Sequence, residues 1–162
     1  IVKFPVSWSH SAISCLFKNK GKANDGKNYR GLSINATLNK ILMSVVLSRI
    51  CTMYEQNIMQ NQFGFRKNRS TTDAIFVIKN VIQKTDGFFV GCFVDLRAAY
   101  DHIDREMLFD VLQIRLGSRV IVQILRELYS NTTATIKYAK ESFWTYVGCR
   151  QGAKESPCLF NI

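Results

Sequence analysis

An aspartate at the end of an apolar run is the feature of this sequence best suited to chemistry. Residues 88–94 form a continuous aromatic and β-branched run, typical of a strand covered on both faces, and Asp95 follows directly. A carboxylate held there offers a hard oxygen ligand to Mg²⁺, the cation that phosphoryl transfer requires. Because Asp is also a preferred turn residue, Asp95 alone fits a simple turn about as well. The choice depends on other segments.

Length, composition and charge limit the class of protein. The chain has 162 residues, 47% of them hydrophobic, which is enough for one domain or a piece of one. Its 22 basic and 12 acidic residues give a net charge of +10, which favours phosphate-rich partners or anionic membrane surfaces. The basic residues do not lie on one face of an apolar helix, and no apolar stretch could cross a bilayer, so we expect no membrane partner.

The cysteines and the two ends of the sequence add further expectations. The five cysteines are scattered without any C-x-x-C spacing, which predicts reduced, buried, intracellular thiols. The chain begins with Ile1 and closes inside a predicted helix. We therefore expect it to be an excerpt of a longer protein.

Hydrophobic periodicity predicts two helices before Asp95. Apolar residues at helical spacing from Leu38 predict an amphipathic helix that ends before Asn61, capped by Asn35 or Thr37, with this buried face: Ile41, Leu42, Val45, Val46 and Ile50. The sequence Ser70-Thr71-Thr72-Asp73 fits a capping box. It predicts a second helix with this buried stripe: Ala74, Ile75, Val77, Ile78, Val81 and Ile82.

Beyond Asp95 the pattern predicts three helices and a hairpin. These elements are a helix from Asp104 to about Leu116 stopped by Gly117, a helix over 119–129, strands within 132–138 and 143–147, and a helix that starts at Ser156-Pro157. The order of elements is neither a regular βαβ alternation nor all helical. It indicates an α+β fold.

A basic segment precedes the first long helix. Residues 18–30 contain five cations and two glycines, and Asp25 is the only acid among them. This composition predicts a flexible basic loop. On the residues alone, a solvated charge run explains it better than a binding site does, because blocks of like charge repel one another and stay hydrated.

Four motifs occur together in a fixed order. They are Asn28-Tyr29-Arg30-Gly31-Leu32-Ser33, Gly64-Phe65-Arg66 with Ser70-Thr71, Phe93-Val94-Asp95 through Ala99-Tyr100-Asp101, and Arg150-Gln151-Gly152 through Ser156-Pro157-Cys158-Leu159-Phe160. In this order and spacing they resemble the reverse transcriptase domain of LINE-type (non-LTR) retrotransposons. The resemblance implies a right-hand polymerase, with fingers over about 1–85 and palm over about 86–162. It also implies DNA synthesis on an RNA template with two Mg²⁺ ions, for which Mn²⁺ is a substitute.

The resemblance assigns roles to residues near the reacting groups. Asp95 matches the first metal-binding carboxylate, and the backbone carbonyl of Leu96 would contact the same ion. Tyr100 falls where the family places a ring under the incoming sugar, which would exclude a 2′-hydroxyl, although simple core packing also suits it. Arg30, with Lys20 as a second, would grip the triphosphate.

Two further motifs match segments that contact the base pair and the template. Gln151 and Gly152 resemble the loop packed against the nascent base pair, where a residue without a side chain allows close backbone approach. The segment of Gly64, Phe65 and Arg66 matches one near the template strand. A structural turn with one exposed arginine explains that segment about as well. Asp101 is expected to hold a turn rather than a metal.

One departure from the family pattern affects activity. The family's other metal carboxylates lie in a Tyr-x-Asp-Asp turn, which this sequence does not contain. We therefore expect a domain truncated before that hairpin, inactive in isolation and marginally stable or prone to aggregation. The longer parent would bind an RNA template, a DNA primer or target and dNTPs, in a ribonucleoprotein of the nucleus and cytoplasm.

Two other interpretations stay open. In one, the chain is a non-catalytic nucleic-acid-binding remnant of a decayed element, whose basic loop binds RNA without chemistry. In the other, it comes from a group II intron maturase, since such proteins share the same palm motifs.

Overall fold

A small mixed sheet pairs two strands from residues 10–35 with two strands from residues 133–144. A computed structural model describes residues 3–162. Its strands are β1 (His10–Phe17), β2 (Tyr29–Asn35), β3 (Thr133–Ile136) and β4 (Ser142–Trp144), in the spatial order β2-β1-β3-β4. β1 is antiparallel to β2 and parallel to β3, while β3 and β4 form an antiparallel hairpin. The predicted C-terminal hairpin is confirmed, with shorter strands.

Six helices accompany the sheet. They are α1 (Val6–Ser9), α2 (Thr37–Tyr54), α3 (Thr71–Lys84), α4 (Arg105–Leu116), α5 (Arg119–Tyr129) and α6 (Ser156–Asn161). Short 3-10 turns lie at Gly26–Asn28, Glu55–Asn57 and Ala99–His102. The result is a mixed α/β fold. Within residues 3–162, the helices are too short or too polar to cross a membrane.

Local capping explains where most helices begin and end. The Ser70 hydroxyl accepts from the Asp73 backbone N–H and the Asp73 carboxylate accepts from the Ser70 N–H, so the predicted capping box is present. Asp104 caps α4, and Gly117 at φ 64° ends it, both as predicted. The predicted cap of α2 is wrong. Ala36 occupies the N-cap position of α2, where no side chain makes a capping hydrogen bond. The Asn35 side chain does not cap the helix because its amide oxygen accepts from the Ser11 hydroxyl at 2.7 Å.

The core forms where α2, α4 and α5 meet. Its fully buried side chains are Met43, Ile50, Leu112, Leu125, Leu128 and Leu159. The buried face predicted for α2 is partly wrong, since Ile41 and Val45 are exposed. Apolar residues surround most of α2, so periodicity alone could not choose its inner face, which is centred on Met43, Leu47 and Ile50.

The strand predicted before Asp95 is not formed in the described structure. Residues 85–98 adopt no helix or strand, and Phe88, Phe93 and Val94 are exposed. A strand requires a pairing neighbour, and the four described strands pair only with one another. The buried stripe predicted for α3 is wrong for a related reason. Although the helix is formed, no described element covers its apolar face.

The cysteines form no disulfide among the described residues and are mostly not buried, although buried thiols were predicted; their redox state stays a prediction. All five are free thiols, and Cys15, Cys51 and Cys92 are exposed while Cys149 is buried and Cys158 is half-buried. The burial prediction failed because the apolar segments that carry Cys15 and Cys92 are themselves exposed.

Leu112→Ala should lower the free energy of unfolding by about 2–5 kcal/mol, because it removes a fully buried side chain and leaves a cavity in the core. The matched control is Ile114→Ala on the same helix, where the side chain is exposed and the change should be within about 0.5 kcal/mol. Urea unfolding followed by circular dichroism measures both. Equal losses in the two variants would contradict this core.

Candidate functional site

A loop of residues 148–152 connects the two parts of the chain that carry predicted nucleotide-binding residues. The Ser33 backbone N–H, in β2, donates to the Gln151 carbonyl at 2.7 Å. On the other side, the Cys149 N–H donates to the Tyr100 carbonyl and the Gly148 N–H donates to the Ile103 carbonyl, both at 2.8 Å. The 148–152 loop therefore lies between β2 and the turn that contains Tyr100. A small cleft of about 210 Å³ opens beside it.

Two positions in this loop require glycine. At Gly152, φ is +88° and a Cβ atom would overlap the Leu32 side chain. At Gly148, φ is +83° and a Cβ atom would lie 2.8 Å from the Tyr100 carbonyl oxygen. The close approach predicted at Gly152 is thus made, in this structure, to the protein's own strand β2. A side chain at Gly148 would collide with the backbone of residues 100–101, and one at Gly152 would displace the Leu32 side chain, with both positions also strained by their positive φ.

Arg30 lies on the face of β2 against which the loop packs. Side chains alternate along a strand, so Arg30 and Leu32 share one face, and Leu32 is the residue that contacts Gly152. The Arg30 side chain is exposed and pairs with no acidic side chain in the described structure. A cation is thereby left free on the face of β2 that meets Gly152 through Leu32.

The basic loop next to Arg30 is held by its own hydrogen bonds, although a flexible loop was predicted. The Lys18 N–H donates to the Asn28 carbonyl, and the Asn28 side-chain amide donates to the Lys22 carbonyl, each at 2.8 Å. The Tyr29 hydroxyl donates to the Ala23 carbonyl at 2.8 Å. Lys20 is exposed within this loop. The loop presents its cations to solvent from a defined backbone.

Tyr100 is half-buried at the edge of the core. Its ring lies 5.1 Å from that of Phe160, and burial, with a smaller contribution from the Cys149 thiol, raises the pKa of the phenol. The hydroxyl is therefore neutral at physiological pH. One side of the ring is fixed by packing, which suits both a gate and a core role.

The metal ligands predicted from the sequence are not assembled. Asp95 and Leu96 are exposed and lie outside helices and strands. Across the described part of the chain there is no group of three or more His, Cys, Asp or Glu side chains able to hold a metal ion. The Asp95 carboxylate and the Leu96 carbonyl are the hard oxygen donors that Mg²⁺ prefers. They do not by themselves form a magnesium site.

The predicted template segment is largely occupied by internal contacts. Arg66 Nη2 donates to Glu55 Oε1 at 2.8 Å and Nη1 donates to the Met59 carbonyl at 2.9 Å, which leaves only 6% of the side chain exposed. The Gly64 carbonyl accepts from the Asn161 amide at 2.9 Å, while Phe65 is exposed with φ 56°. These contacts support a structural turn. Template binding stays a prediction.

Arg105 holds the chain on the buried side of the 148–152 loop through hydrogen bonds. This residue was not identified from the sequence. Its buried guanidinium lies within hydrogen-bond distance of five acceptors, the Thr132 hydroxyl and the carbonyls of Tyr129, Thr145, Val147 and Gly148, with three of them sharing the two N–H groups of Nη1. Burial lowers its pKa, and no carboxylate pairs with it in the described structure. A signal existed in the sequence. Arg105 opens α4, where the helix dipole disfavours a cation, so another interaction had to hold it.

A second buried arginine shares the same aromatic ring. The guanidinium carbons of Arg105 and Arg150 lie 5.2 Å and 5.0 Å from the centre of the Tyr129 ring. The Tyr129 hydroxyl donates to Glu155 Oε1 at 3.3 Å, and burial raises the pKa of this phenol well above its usual value. Burial likewise raises the pKa of the neighbouring Cys149 thiol to about 11. This cluster supports the loop and faces away from solvent.

Comparison with known proteins gives the class to which this fold and site belong. Residues 18–162 match the family described as reverse transcriptase (RNA-dependent DNA polymerase). Because the match covers most of the chain, the protein belongs to the reverse transcriptase family, whose members generally use divalent metals.

The relatives include proteins of mobile elements. The chain is 26% identical over 163 residues to a putative 115 kDa protein in the type-1 retrotransposable element R1DM of Drosophila melanogaster, covering 98% of this chain and 16% of that protein. It is 28% identical over 105 residues to the RNA-directed DNA polymerase from mobile element jockey of the same species, covering 62% of this chain and 12% of that protein. These matches confirm the resemblance to non-LTR retrotransposons.

A bacterial relative extends the comparison to introns. The group II intron-encoded protein LtrA of Lactococcus lactis subsp. cremoris is 27% identical over 139 residues, which cover 85% of this chain and 22% of that protein. This chain therefore spans less than a quarter of the length of each of these relatives.

Arg105→Ala should destabilise the chain by about 3 kcal/mol or more, because it leaves several buried carbonyl groups without a donor. Arg105→Lys should recover only part of this loss, since an ammonium cannot reproduce the planar fork. The exposed Arg115 of the same helix supplies the control, Arg115→Ala, which should change stability by no more than about 0.5 kcal/mol.

The loop itself gives a local measurement for these variants. Cys149 is a buried residue of this loop in the wild-type chain, so alkylation of its thiol should be much faster in Arg105→Ala and unchanged in Arg115→Ala. Wild-type stability and wild-type protection of Cys149 in Arg105→Ala would refute the role given to this guanidinium.

Proposed function

We propose that this chain forms the nucleotide-binding half of an RNA-directed DNA polymerase active site within a longer retrotransposon protein. The observation that carries the proposal is the 148–152 loop, which ties the strand bearing Arg30 to the turn bearing Tyr100. Residues about 1–85 would act as fingers and residues about 86–162 as palm. The Tyr-x-Asp-Asp hairpin would come from outside this sequence, so the chain alone would be inactive.

The triphosphate would bind along the exposed face of β2. Arg30 is free of acidic partners in the described structure and lies on the face that meets Gly152, so its guanidinium can donate two parallel hydrogen bonds to phosphate oxygens. Lys20, exposed in the neighbouring basic loop, would add a second positive charge. Together they would hold the anionic leaving group in place while the chain is extended.

The sugar and base would lie between the loop and the Tyr100 ring. Packing on Phe160 and the hydrogen bond from the Cys149 N–H to the Tyr100 carbonyl restrict the movement of this residue. A ring fixed beneath the sugar would collide with a 2′-hydroxyl and so select dNTPs over rNTPs. Gln151 and Gly152 would pack against the new base pair.

Asp95 would supply one carboxylate ligand to the catalytic Mg²⁺ ions, with the Leu96 carbonyl as a second contact. Such ions lower the barrier of phosphoryl transfer by neutralising charge on the reacting oxygens. The described residues assemble no magnesium site, and in this proposal the further carboxylates would come from the longer protein. Mn²⁺ would substitute for Mg²⁺, since it also prefers oxygen ligands.

The partners follow from the same proposal. A net charge of +10 favours an RNA template and a DNA primer or target over neutral ligands. The exposed Phe65 would stack on the template, next to Gly64, while Arg66 holds the turn through Glu55. The parent protein would act in a ribonucleoprotein of the nucleus and cytoplasm.

A group II intron-encoded protein is the second candidate. The match to LtrA covers more of this chain than the match to the jockey polymerase does, so the sequence fits both kinds of parent. The chemistry would be the same in either case. A non-catalytic remnant would bind nucleic acid without extending a primer.

Asp95→Asn in the full-length parent should abolish nearly all primer extension, because an amide binds Mg²⁺ far more weakly than a carboxylate does. The control is Asp101→Asn, which removes a charge of the same kind from an exposed position expected only to hold a turn. Extension of a DNA primer on an RNA template measures both. Near wild-type synthesis by Asp95→Asn would exclude Asp95 as a ligand, and no synthesis by the wild-type parent would support the remnant.

Tyr100→Ala should instead relax sugar choice and raise the use of rNTPs relative to dNTPs by about tenfold or more, because the steric barrier is lost. Tyr100→Phe keeps the ring and should retain wild-type selectivity. The measurement is the kcat/KM for dCTP divided by the kcat/KM for CTP. This ratio does not depend on how much of the enzyme remains folded. Unchanged selectivity in Tyr100→Ala would leave this tyrosine with its packing role alone.

A further inference from the structure

Two cysteines far apart in sequence lie in contact. The sulfur atoms of Cys51, in α2, and Cys158, in α6, are 3.8 Å apart although 107 residues separate them along the chain. A movement of less than about 2 Å would bring them to the bonding distance of a disulfide. The other free thiols have no such neighbour among the hydrogen bonds of the described residues.

The two thiols differ in accessibility. Cys51 is exposed, whereas Cys158 is half-buried behind it. Burial, followed by the proximity of Cys51, raises the pKa of the Cys158 thiol to about 12. An oxidant in solution therefore meets Cys51 first, and Cys158 is placed to attack the modified Cys51 sulfur from within the protein.

The contact lies where α6 docks on the end of α2. The Tyr54 hydroxyl, in α2, donates to the Ile162 carbonyl at 3.3 Å, and the Gln62 amide donates to Asn161 Oδ1 at 3.1 Å. At its other end, α6 is tied to the 148–152 loop by the Ser156 hydroxyl, which donates to the Arg150 carbonyl at 2.7 Å. A covalent bond here would restrain both α6 and that loop.

We propose that Cys51 and Cys158 are a redox-sensitive thiol pair that forms a reversible intramolecular disulfide with small-molecule disulfides such as oxidised glutathione. In the first step the Cys51 thiolate attacks one glutathione sulfur, and the second glutathione leaves as a thiolate. In the second step the Cys158 thiol gives up its proton as its sulfur attacks the Cys51 sulfur, and the remaining glutathione leaves as a thiolate. The two protein thiols lose two electrons, one glutathione disulfide is reduced, and both protons pass to the leaving thiolates.

The disulfide would fasten α6 to α2 and thereby hold the segment that begins at the 148–152 loop. Formation of this disulfide does not involve the polymerase reaction, so the proposal does not depend on the proposed function. Its closure depends only on the folded contact between the two helices.

The test is disulfide mapping of the purified chain in glutathione redox buffers. Cys15→Ser/Cys92→Ser removes the two exposed thiols outside the pair, which leaves Cys51 as the one exposed thiol able to bridge two molecules. After acid quenching, alkylation and digestion, mass spectrometry should find a peptide joining Cys51 to Cys158 as the main product. Adding Cys51→Ser to this background should abolish the bridge.

The unfolded chain provides the control that is specific to the fold. In concentrated urea, loop-closure entropy favours the bridge between Cys149 and Cys158, which are close in sequence, over the one between Cys51 and Cys158. The equilibrium constant for the Cys51–Cys158 bridge should therefore be at least about tenfold higher without urea than with it, because the folded contact raises the effective concentration.

Two results would overturn the proposal. One is a native chain that carries glutathione on Cys51 without forming the bridge. The other is the same distribution of bridges with and without urea. The unsubstituted chain, mapped in parallel, shows whether either result comes from the serine substitutions rather than from the native contact.

Discussion

The structure around the site depends on the burial of one cation without an anion. Arg105 is neutralised by no carboxylate in the described structure, and its charge is stabilised by a ring of carbonyl dipoles from the end of α5 and from residues 145–148. An ion pair would need a carboxylate placed opposite the guanidinium. Backbone carbonyls, in contrast, are present wherever the chain bends around the guanidinium. The arginine therefore fixes the path of the chain that leads into the 148–152 loop.

The path that Arg105 gives the chain also sets the contacts on both sides of the 148–152 loop. From Gly148 onward the backbone bonds to Tyr100 and Ile103, and from Gln151 it bonds to β2. Glycine at positions 148 and 152 permits the close approaches, and α6 closes the far end through Ser156. The predicted nucleotide-binding residues are thus held by backbone contacts more than by their own side chains, which leaves Arg30 and Gln151 able to face a ligand.

The sequence predicted those parts of the fold that local chemistry determines. The capping box at Ser70, the cap at Asp104 and the stop at Gly117 depend on residues a few positions apart, and all were correct. The motifs around Tyr100 and Gln151 were identified separately, and their proximity through the 148–152 loop became visible only in the structure. The inner face of α2 and the burial of α3 were predicted wrongly, because they depend on which distant element covers an apolar surface. Arg105 was missed because four of its five partners are backbone carbonyls, and its only sign in the sequence was a cation at the start of a helix.

The proposed nucleotide-binding residues and the proposed metal ligand Asp95 differ in how well the fold holds them in place. The loop, Tyr100 and β2 belong to a network of short hydrogen bonds next to the core. Asp95 instead follows an apolar segment whose side chains and backbone have neither a covering element nor a pairing strand in the described structure. Segments with few buried contacts open at little cost, while those tied to the core open only with the whole domain. The proposed nucleotide-binding groups can therefore be positioned before the proposed metal ligands are. Pairing of residues 88–94 with a further strand would then bury the apolar run and fix Asp95 in the same step, so that folding would be coupled to metal binding if this carboxylate is the proposed ligand.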